Sequence, residues 1–181
     1  DPPLALLAEL THRCPLRCPY CSNPVDLTRP GAELDAATWA RVFAEAAALG
    51  CLQVHLSGGE PTARRDILDI TRSASRAGLY TNLITAGVLL DAGKVAALAG
   101  AGLDHVQLSV QDAETASAER IGGYAGGHAK KLEAARLARE AGLALTLNAV
   151  VHRQNLDRLP ALIDLAVALG AGRLEVAHVQ Y

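Results

Sequence analysis

The chain has 181 residues, of which 17 are basic and 19 acidic, so its formal net charge is −2. This near-balance argues against a protein that holds nucleic acid by bulk electrostatics. A hydrophobic content of 50% excludes disorder, and the 35 Ala and 29 Leu favour helices packed on a sheet over an all-β sandwich. The length suits one domain and is shorter than the roughly 250 residues of a complete eight-fold (β/α) barrel.

The sequence also bears on the compartment in which the protein works. Its apolar runs are interrupted before the ~18 residues that a membrane helix needs, and residues 1–10 lack the basic region of an export signal. Four Cys without such a signal indicate thiols or metal ligands rather than a disulfide scaffold. We therefore expect a cytoplasmic protein with no membrane and no nucleic-acid partner.

Strand-like and helix-like segments alternate along the chain. The strands are predicted at residues 4–10, 52–57, 80–85, 105–111, 145–152 and 173–180. The helices are predicted at residues 35–49, 65–77, 92–100, 129–141 and 159–169, and residues 11–30 form a loop rich in Cys and Pro. Six strands alternating with five helices indicate parallel βαβ units with right-handed crossovers. The sheet is then either doubly wound and open or curved like a barrel.

Three strands carry polar residues at every second position. These residues are Gln53, His55, His105, Gln107, Ser109, Gln111, Thr146, Asn148 and His152. A parallel strand covered on both faces is apolar on both, so the pattern favours a curved sheet whose concave side is a polar, ligand-holding lumen. The apolar residues between them, such as Val54, Leu56 and Leu108, then face the helices.

A cysteine triad, Cys14-x3-Cys18-x2-Cys21, directly follows the first strand. Three thiolates within eight residues can hold one face of a metal cluster, whereas structural zinc and electron-transfer [4Fe–4S] sites take four ligands. No fourth ligand lies at a finger-like spacing, and Cys51 opens a strand, as a core residue does. Three thiolates leave one iron of a [4Fe–4S] cluster free to bind a substrate directly.

Two glycine-rich segments lie at the ends of predicted elements. Ser57-Gly58-Gly59-Glu60-Pro61 follows the second strand, at the carboxyl edge where parallel sheets bind ligands. Residues 121–127 lack the dinucleotide fingerprint, so we expect a long loop on the catalytic face. The basic residues Lys130, Lys131, Arg136 and Arg139 that follow it indicate a solvated helix face.

The Cys triad, with the aromatic Tyr20 before its third member, resembles the radical S-adenosylmethionine (SAM) superfamily. The resemblance implies a partial (β/α)6 TIM-like barrel, an α/β fold with a curved parallel sheet and helices outside. It also implies a [4Fe–4S] cluster held by Cys14, Cys18 and Cys21, whose open iron chelates SAM. Reduction of the bound SAM then yields methionine and a 5′-deoxyadenosyl radical, which abstracts a substrate hydrogen.

The same resemblance assigns the remaining SAM contacts. Gly58, Gly59 and Glu60 would receive the ammonium group of SAM, with Pro61 fixing the exit of the loop. The strand-end residues Thr85, Ser109 and Asn148 would hydrogen-bond the methionine carboxylate and the ribose, or simply cap their loops. Tyr20 would pack near the adenine or shield the cluster.

Four segments are similar to the pyrroloquinoline quinone (PQQ) biosynthesis protein E family: CPYCSNP at 18–24, HLSGGEP at 55–61, IGGY at 121–124 and EVAHVQY at 175–181. This family joins a Glu and a Tyr side chain of the precursor peptide PqqA by a carbon–carbon bond. The similarity implies PqqA, its chaperone PqqD and an electron donor such as flavodoxin as partners. It assigns no catalytic residue, although His55, His105 and His178 are candidates for holding the Glu or managing protons.

One departure from that family is clear. Its members continue into a Cys-rich, SPASM-like C-terminal domain with auxiliary clusters, but this chain has only Cys51 outside the triad. We therefore expect residues 1–181 to be the radical-generating core of a larger enzyme. Two alternatives stay open: another radical SAM peptide maturase or synthase, and a non-catalytic iron–sulfur or zinc module.

Overall fold

In the part of the chain that the structure describes, six parallel strands form a single sheet, and each strand pairs with its neighbours in the chain, in the order β1 to β6. The computed structural model describes residues 3–23 and 33–179. The strands are β1 (Ala5–Glu9), β2 (Gln53–Ser57), β3 (Tyr80–Thr85), β4 (His105–Val110), β5 (Ala144–Val151) and β6 (Arg173–His178). The sheet curls into a half-barrel with the helices around it, so the predicted partial barrel is confirmed.

Among the described residues, six α-helices lie around the sheet, one more than the sequence pattern predicts. They are α1 (Ala36–Ala48), α2 (Ile67–Arg76), α3 (Ala92–Gly100), α4 (Thr115–Gly122), α5 (Gly127–Glu140) and α6 (Leu159–Ala168). The loop expected at residues 121–127 is shorter than predicted, because α4 ends at Gly122 and α5 begins at Gly127, which leaves residues 123–126 between them. The Glu114 carboxylate caps α4 by accepting from the backbone N–H groups of Ala116 and Ser117, and Gly123 ends it at a φ of 63°.

The first helix illustrates how local sequence and core packing agree. Asp35 caps α1, its carboxylate accepting from the Thr38 N–H at 2.8 Å. Trp39, Phe43 and Ala46 follow at helical spacing, and all three are buried against the sheet. One face of α1 therefore closes the core beside β1 and β2.

The alternation along the strands separates the two faces of the sheet as predicted. Val54, Leu56 and Leu108 have no exposed surface and belong to the core between sheet and helices. The polar positions between them line cavities on the concave side. Cys51 is buried in the core, as expected.

A few predictions fall at the edges of the described residues. The sixth strand ends at His178, and Gln180 and Tyr181, like residues 24–30 of the Cys-rich loop, lie outside the described residues. Across residues 3–23 and 33–179, no helix combines the length and the hydropathy required to cross a membrane.

Candidate cofactor site

The three thiols lie in the loop after β1, which short backbone contacts hold in place. The Arg17 N–H donates to the Gly122 carbonyl at the end of α4 over 2.9 Å. The Cys21 N–H donates to the Cys18 carbonyl at 3.1 Å and closes a turn between the second and third thiols. Cys14 and Cys18 are half-buried and Cys21 is exposed, and all three are free.

The glycine loop after β2 packs directly against this cysteine loop. The Gly59 N–H donates to the Thr11 carbonyl at 2.6 Å, and the Glu60 N–H donates to the Arg13 carbonyl at 2.7 Å. A Cβ atom on Gly58 would lie 2.3 Å from the Thr11 oxygen, and one on Gly59 would lie 2.5 Å from the Arg13 oxygen. Gly58 also has a φ of +120°. The two glycines are therefore needed for the close approach of the two loops.

A cavity of about 160 Å³ at the carboxyl edge of the sheet brings nine of the eleven predicted site residues together. These are Cys14, Cys18, Tyr20, Cys21, Gly58, Gly59, Thr85, Ser109 and Asn148. Gln111 also lines the cavity, and its Oε1 is buried without a hydrogen-bond partner. Glu60 and Pro61 do not line it. The ligand contacts of all eleven residues stay predictions.

The Glu60 carboxylate turns inward rather than toward the cavity. Oε1 accepts from the N–H and hydroxyl of Thr62, at 3.0 and 2.6 Å, and from the Thr85 hydroxyl at 2.8 Å. Oε2 accepts from the Ala86 N–H at 2.7 Å. The side chain is fully buried, so it fastens the glycine loop to the end of β3.

Lys131, expected on a solvated helix face, is instead buried beneath the site. Its ammonium donates to the Ala86 and Ser109 carbonyls, both at 2.8 Å, and so ties the ends of β3 and β4 together. Lys131 precedes the buried Ala134 and Ala135 by three and four residues. This helical spacing places it on the buried face of α5 and could have predicted its burial. The expectation was wrong because the aliphatic stem of Lys131 passes through the apolar side of α5.

Burial sets the electrostatics of the thiols and the lysine. It raises the pKa of Cys14 and Cys18, while the Lys131 ammonium acts in the opposite direction on Cys18. Burial likewise lowers the pKa of Lys131 to about 8, against the attraction of Cys18 and Glu60. The positive charge of the buried ammonium therefore favours the negatively charged thiolate form of Cys18.

These residues fit an iron–sulfur cluster with three protein ligands. Three free thiols line one cavity, and the charge of the buried Lys131 favours the thiolate form of Cys18. Within residues 3–23 and 33–179, no three Cys, His, Asp or Glu side chains converge on one point as ligands of a single ion do. A cubane cluster requires no such convergence, because each thiolate binds a different iron.

A second cavity, of about 690 Å³, occupies the amino-terminal half of the lumen. His55 and His105 line it, together with Gln107 and Glu175. His178, the third candidate histidine, is exposed. Its side chain lies on the same face of β6 as that of Val176, which is the face opposite to Glu175. It is therefore not a lumen residue.

Comparison with known proteins identifies the class. Residues 8–166 match the Radical SAM superfamily, and the chain belongs to it. The cofactors of that superfamily are a [4Fe–4S] cluster and SAM. The chain is 65% identical over 179 residues to the PqqA peptide cyclase of Methylobacterium nodulans, covering 99% of this chain and 47% of that protein. It is 61% identical over 181 residues to that of Gluconobacter oxydans, covering all of this chain and 51% of that one. The chain thus spans about half the length of these relatives.

Solved structures show the same fold. Streptococcus suis SuiB bound to its precursor peptide SuiA matches with a TM-score of 0.87 and 25% identity, over 98% of this chain and 40% of SuiB. The protein anSMEcpe with bound AdoMet matches with a TM-score of 0.80 and 18% identity, over 98% of this chain and 52% of that one. The family and the fold expected from the sequence are both confirmed.

Proposed function

We propose that residues 1–181 are the radical-generating core of an enzyme that cross-links a Glu and a Tyr side chain of a PqqA-type precursor peptide. The observation that carries the proposal is the single cavity lined by three free thiols, the Gly58-Gly59 loop and the polar ends of β4 and β5. When bound, the cluster and SAM supply a 5′-deoxyadenosyl radical at this cavity.

Each residue of the site has a proposed part. Cys14, Cys18 and Cys21 hold the cluster, and the backbone carbonyls of Gly58 and Gly59 accept hydrogen bonds from the ammonium group of SAM. Ser109 and Asn148 hydrogen-bond the methionine carboxylate and the ribose of SAM. Thr85 also takes part, but its hydroxyl already donates to Glu60 and accepts from the Gly87 N–H, so only its remaining lone pair is available. Tyr20 packs near the adenine.

The relatives support a peptide substrate. Identities of 61–65% extend over essentially the whole chain to proteins named PqqA peptide cyclase, and SuiB holds a precursor peptide. We extend the proposal to PqqD as peptide chaperone, to a flavodoxin-type electron donor and to a cytoplasmic location. A Cys-rich domain outside this chain would accept the electron released when the new bond forms.

Anaerobic reconstitution tests the cofactor assignment. We expect about four irons per chain and an EPR signal that changes when SAM is added. Cys18→Ala should lose both cluster and SAM cleavage, whereas Cys51→Ala is the matched control and should keep them, because Cys51 lies in the core away from the cavity. Protein that takes up one zinc and no iron, or an EPR signal indifferent to SAM, would contradict the proposal.

Isotope transfer tests the substrate separately. PqqA peptide deuterated on its reacting Glu should transfer deuterium into 5′-deoxyadenosine when the reconstituted chain turns over with PqqD present. Transfer from an unrelated precursor peptide but not from PqqA would identify a different radical SAM maturase. In that case the cluster assignment would stand and the PqqA assignment would not.

A further inference from the structure

Glu175 on β6 is the one carboxylate among the described residues that line either cavity. It lies on the concave face, where the register pairs it with Asn148 of β5. Asn148 also lines the cofactor cavity, and its Nδ2 lies 3.5 Å from Glu175 Oε2. Glu175 therefore stands where the cofactor cavity meets the larger cavity below it.

A chain of side-chain hydrogen bonds across the sheet holds this carboxylate in position. Gln107 Nε2 donates to Glu175 Oε2 at 2.9 Å, and Gln107 Oε1 accepts from Asn82 Nδ2 at 3.1 Å. The other Asn82 N–H contacts His55 Nδ1 at 2.9 Å. The Gln107 amide accepts from Asn82 through its oxygen and donates to Glu175 through its nitrogen, so these two neighbours fix its orientation.

The network leaves acceptor capacity directed into the lumen. The Glu175 side chain lines the larger cavity and keeps 38% of its surface exposed. The ionic contact of Glu175, with Arg173, spans 3.5 Å, and the Arg173 side chain is 71% exposed. An ion pair as open as this contributes little, so Glu175 Oε1 can exchange it for another donor at small cost.

The geometry points to Glu175 as a specificity-determining residue that accepts a hydrogen bond from the phenol of the substrate tyrosine. This inference rests on the proposed function. Of the two side chains that the cross-link joins, the substrate glutamate would bring a second negative charge beside Glu175, which is unfavourable. The tyrosine brings an O–H donor, and a charge-assisted O–H···O bond is among the strong ones. The carboxylate would thus anchor the ring by its oxygen below the cofactor cavity.

Peptide binding by the reconstituted chain tests this role, with SAM present and PqqD left out of every arm, because a peptide chaperone would itself bind the probe. The probes are PqqA and a PqqA variant in which Phe replaces the cross-linked Tyr, and titration calorimetry measures the dissociation constants. We expect wild type to bind the Tyr peptide about tenfold more tightly, as a hydrogen bond to a charged group contributes. Glu175→Gln should reduce that preference to about threefold or less.

Controls keep the result specific. Glu133→Gln changes a surface carboxylate on α5 that contacts Arg136 alone, and it should keep the tenfold preference. Glu133→Gln should also retain the wild-type iron content and peptide-independent SAM cleavage, and the iron content of every variant is measured before the titration. If Glu175→Gln loses its cluster, Glu175→Ala, which leaves no group opposing the Gln107 amide, takes its place.

The other outcomes distinguish the role of Glu175 from the proposed substrate. A tenfold preference that survives in Glu175→Gln, or equal binding of the two peptides by wild type, overturns the role of Glu175 and leaves the proposed function intact. Wild-type protein that binds neither peptide overturns the proposed substrate and this inference with it.

Discussion

Glu60→Gln tests whether the glycine loop is fastened by a buried carboxylate or whether that carboxylate serves the ligand. In the structure the Glu60 carboxylate accepts four hydrogen bonds, and two of the donors are backbone N–H groups. The Thr62 N–H donates to Oε1, whereas the Ala86 N–H donates to Oε2. A glutamine has only one acceptor oxygen. Whichever way its amide turns, its NH2 group faces one of these two N–H groups.

The cost follows from what that N–H group loses. One hydrogen bond to a charged acceptor contributes about 1.5–3 kcal/mol, and a buried donor left unpaired costs a further 1–3 kcal/mol. Relief from burying a charge offsets part of this sum. We expect Glu60→Gln to lower the free energy of unfolding by about 3 kcal/mol, a large fraction of the 5–15 kcal/mol typical of a domain.

Urea unfolding of the reduced, cluster-free chain under anaerobic conditions measures the effect. With a slope of about 2 kcal/mol/M, the midpoint should fall by about 1.5 M and the slope should not change. Glu133→Gln is the matched control and should stay within about 0.5 kcal/mol of wild type, since its carboxylate is exposed. If Glu60→Gln unfolds at the wild-type urea concentration and loses only SAM binding, the carboxylate is a ligand contact and does not fasten the glycine loop.

Three further predictions concern the loops around the site. Gly59→Ala should lower iron incorporation at least severalfold, measured as iron per chain, because the added Cβ meets the Arg13 carbonyl at 2.5 Å; full incorporation would show that the loops can separate. The folded-state pKa of Lys131, about 8, lies below the ordinary 10.5, so the unfolded chain binds more protons between these values. The stability of wild type relative to Lys131→Met should therefore rise with pH from 8 to 10.5, by up to about 3 kcal/mol, and a flat difference in urea titrations would contradict the burial of the charge. Arg158→Ala should cost about 3 kcal/mol near neutral pH, because the fully buried Asp112 carboxylate loses its ion pair and keeps the Ala113 and Glu114 N–H groups at Oδ1; since Arg158 holds the pKa of Asp112 below its ordinary value despite burial, the difference from wild type should shrink as pH falls toward and through that lowered pKa.

Much of the fold could be predicted because its signals are local. The bounds of β3 and α3 agree with the sequence pattern to the residue, since alternation with period two and capping residues lie within the segments themselves. Helix α4 was missed although its cap is local, because Glu114 is a less common capping residue and glycines follow. The cysteine triad and the Gly58-Gly59 pair could likewise identify the site, because the residues of each motif lie close together in the sequence.

The amino-acid sequence by itself thus determined the alternation of strands and helices, the polar side of the sheet and the three thiols of the cofactor site. Only the tertiary structure decided which partners the ionisable side chains have. Glu60 meets Thr85 across 25 residues, Lys131 meets the Ala86 carbonyl across 45, and Gln107 meets Glu175 across 68. Such contacts depend on the register and curvature of the parallel sheet, which join residues that no local periodicity relates.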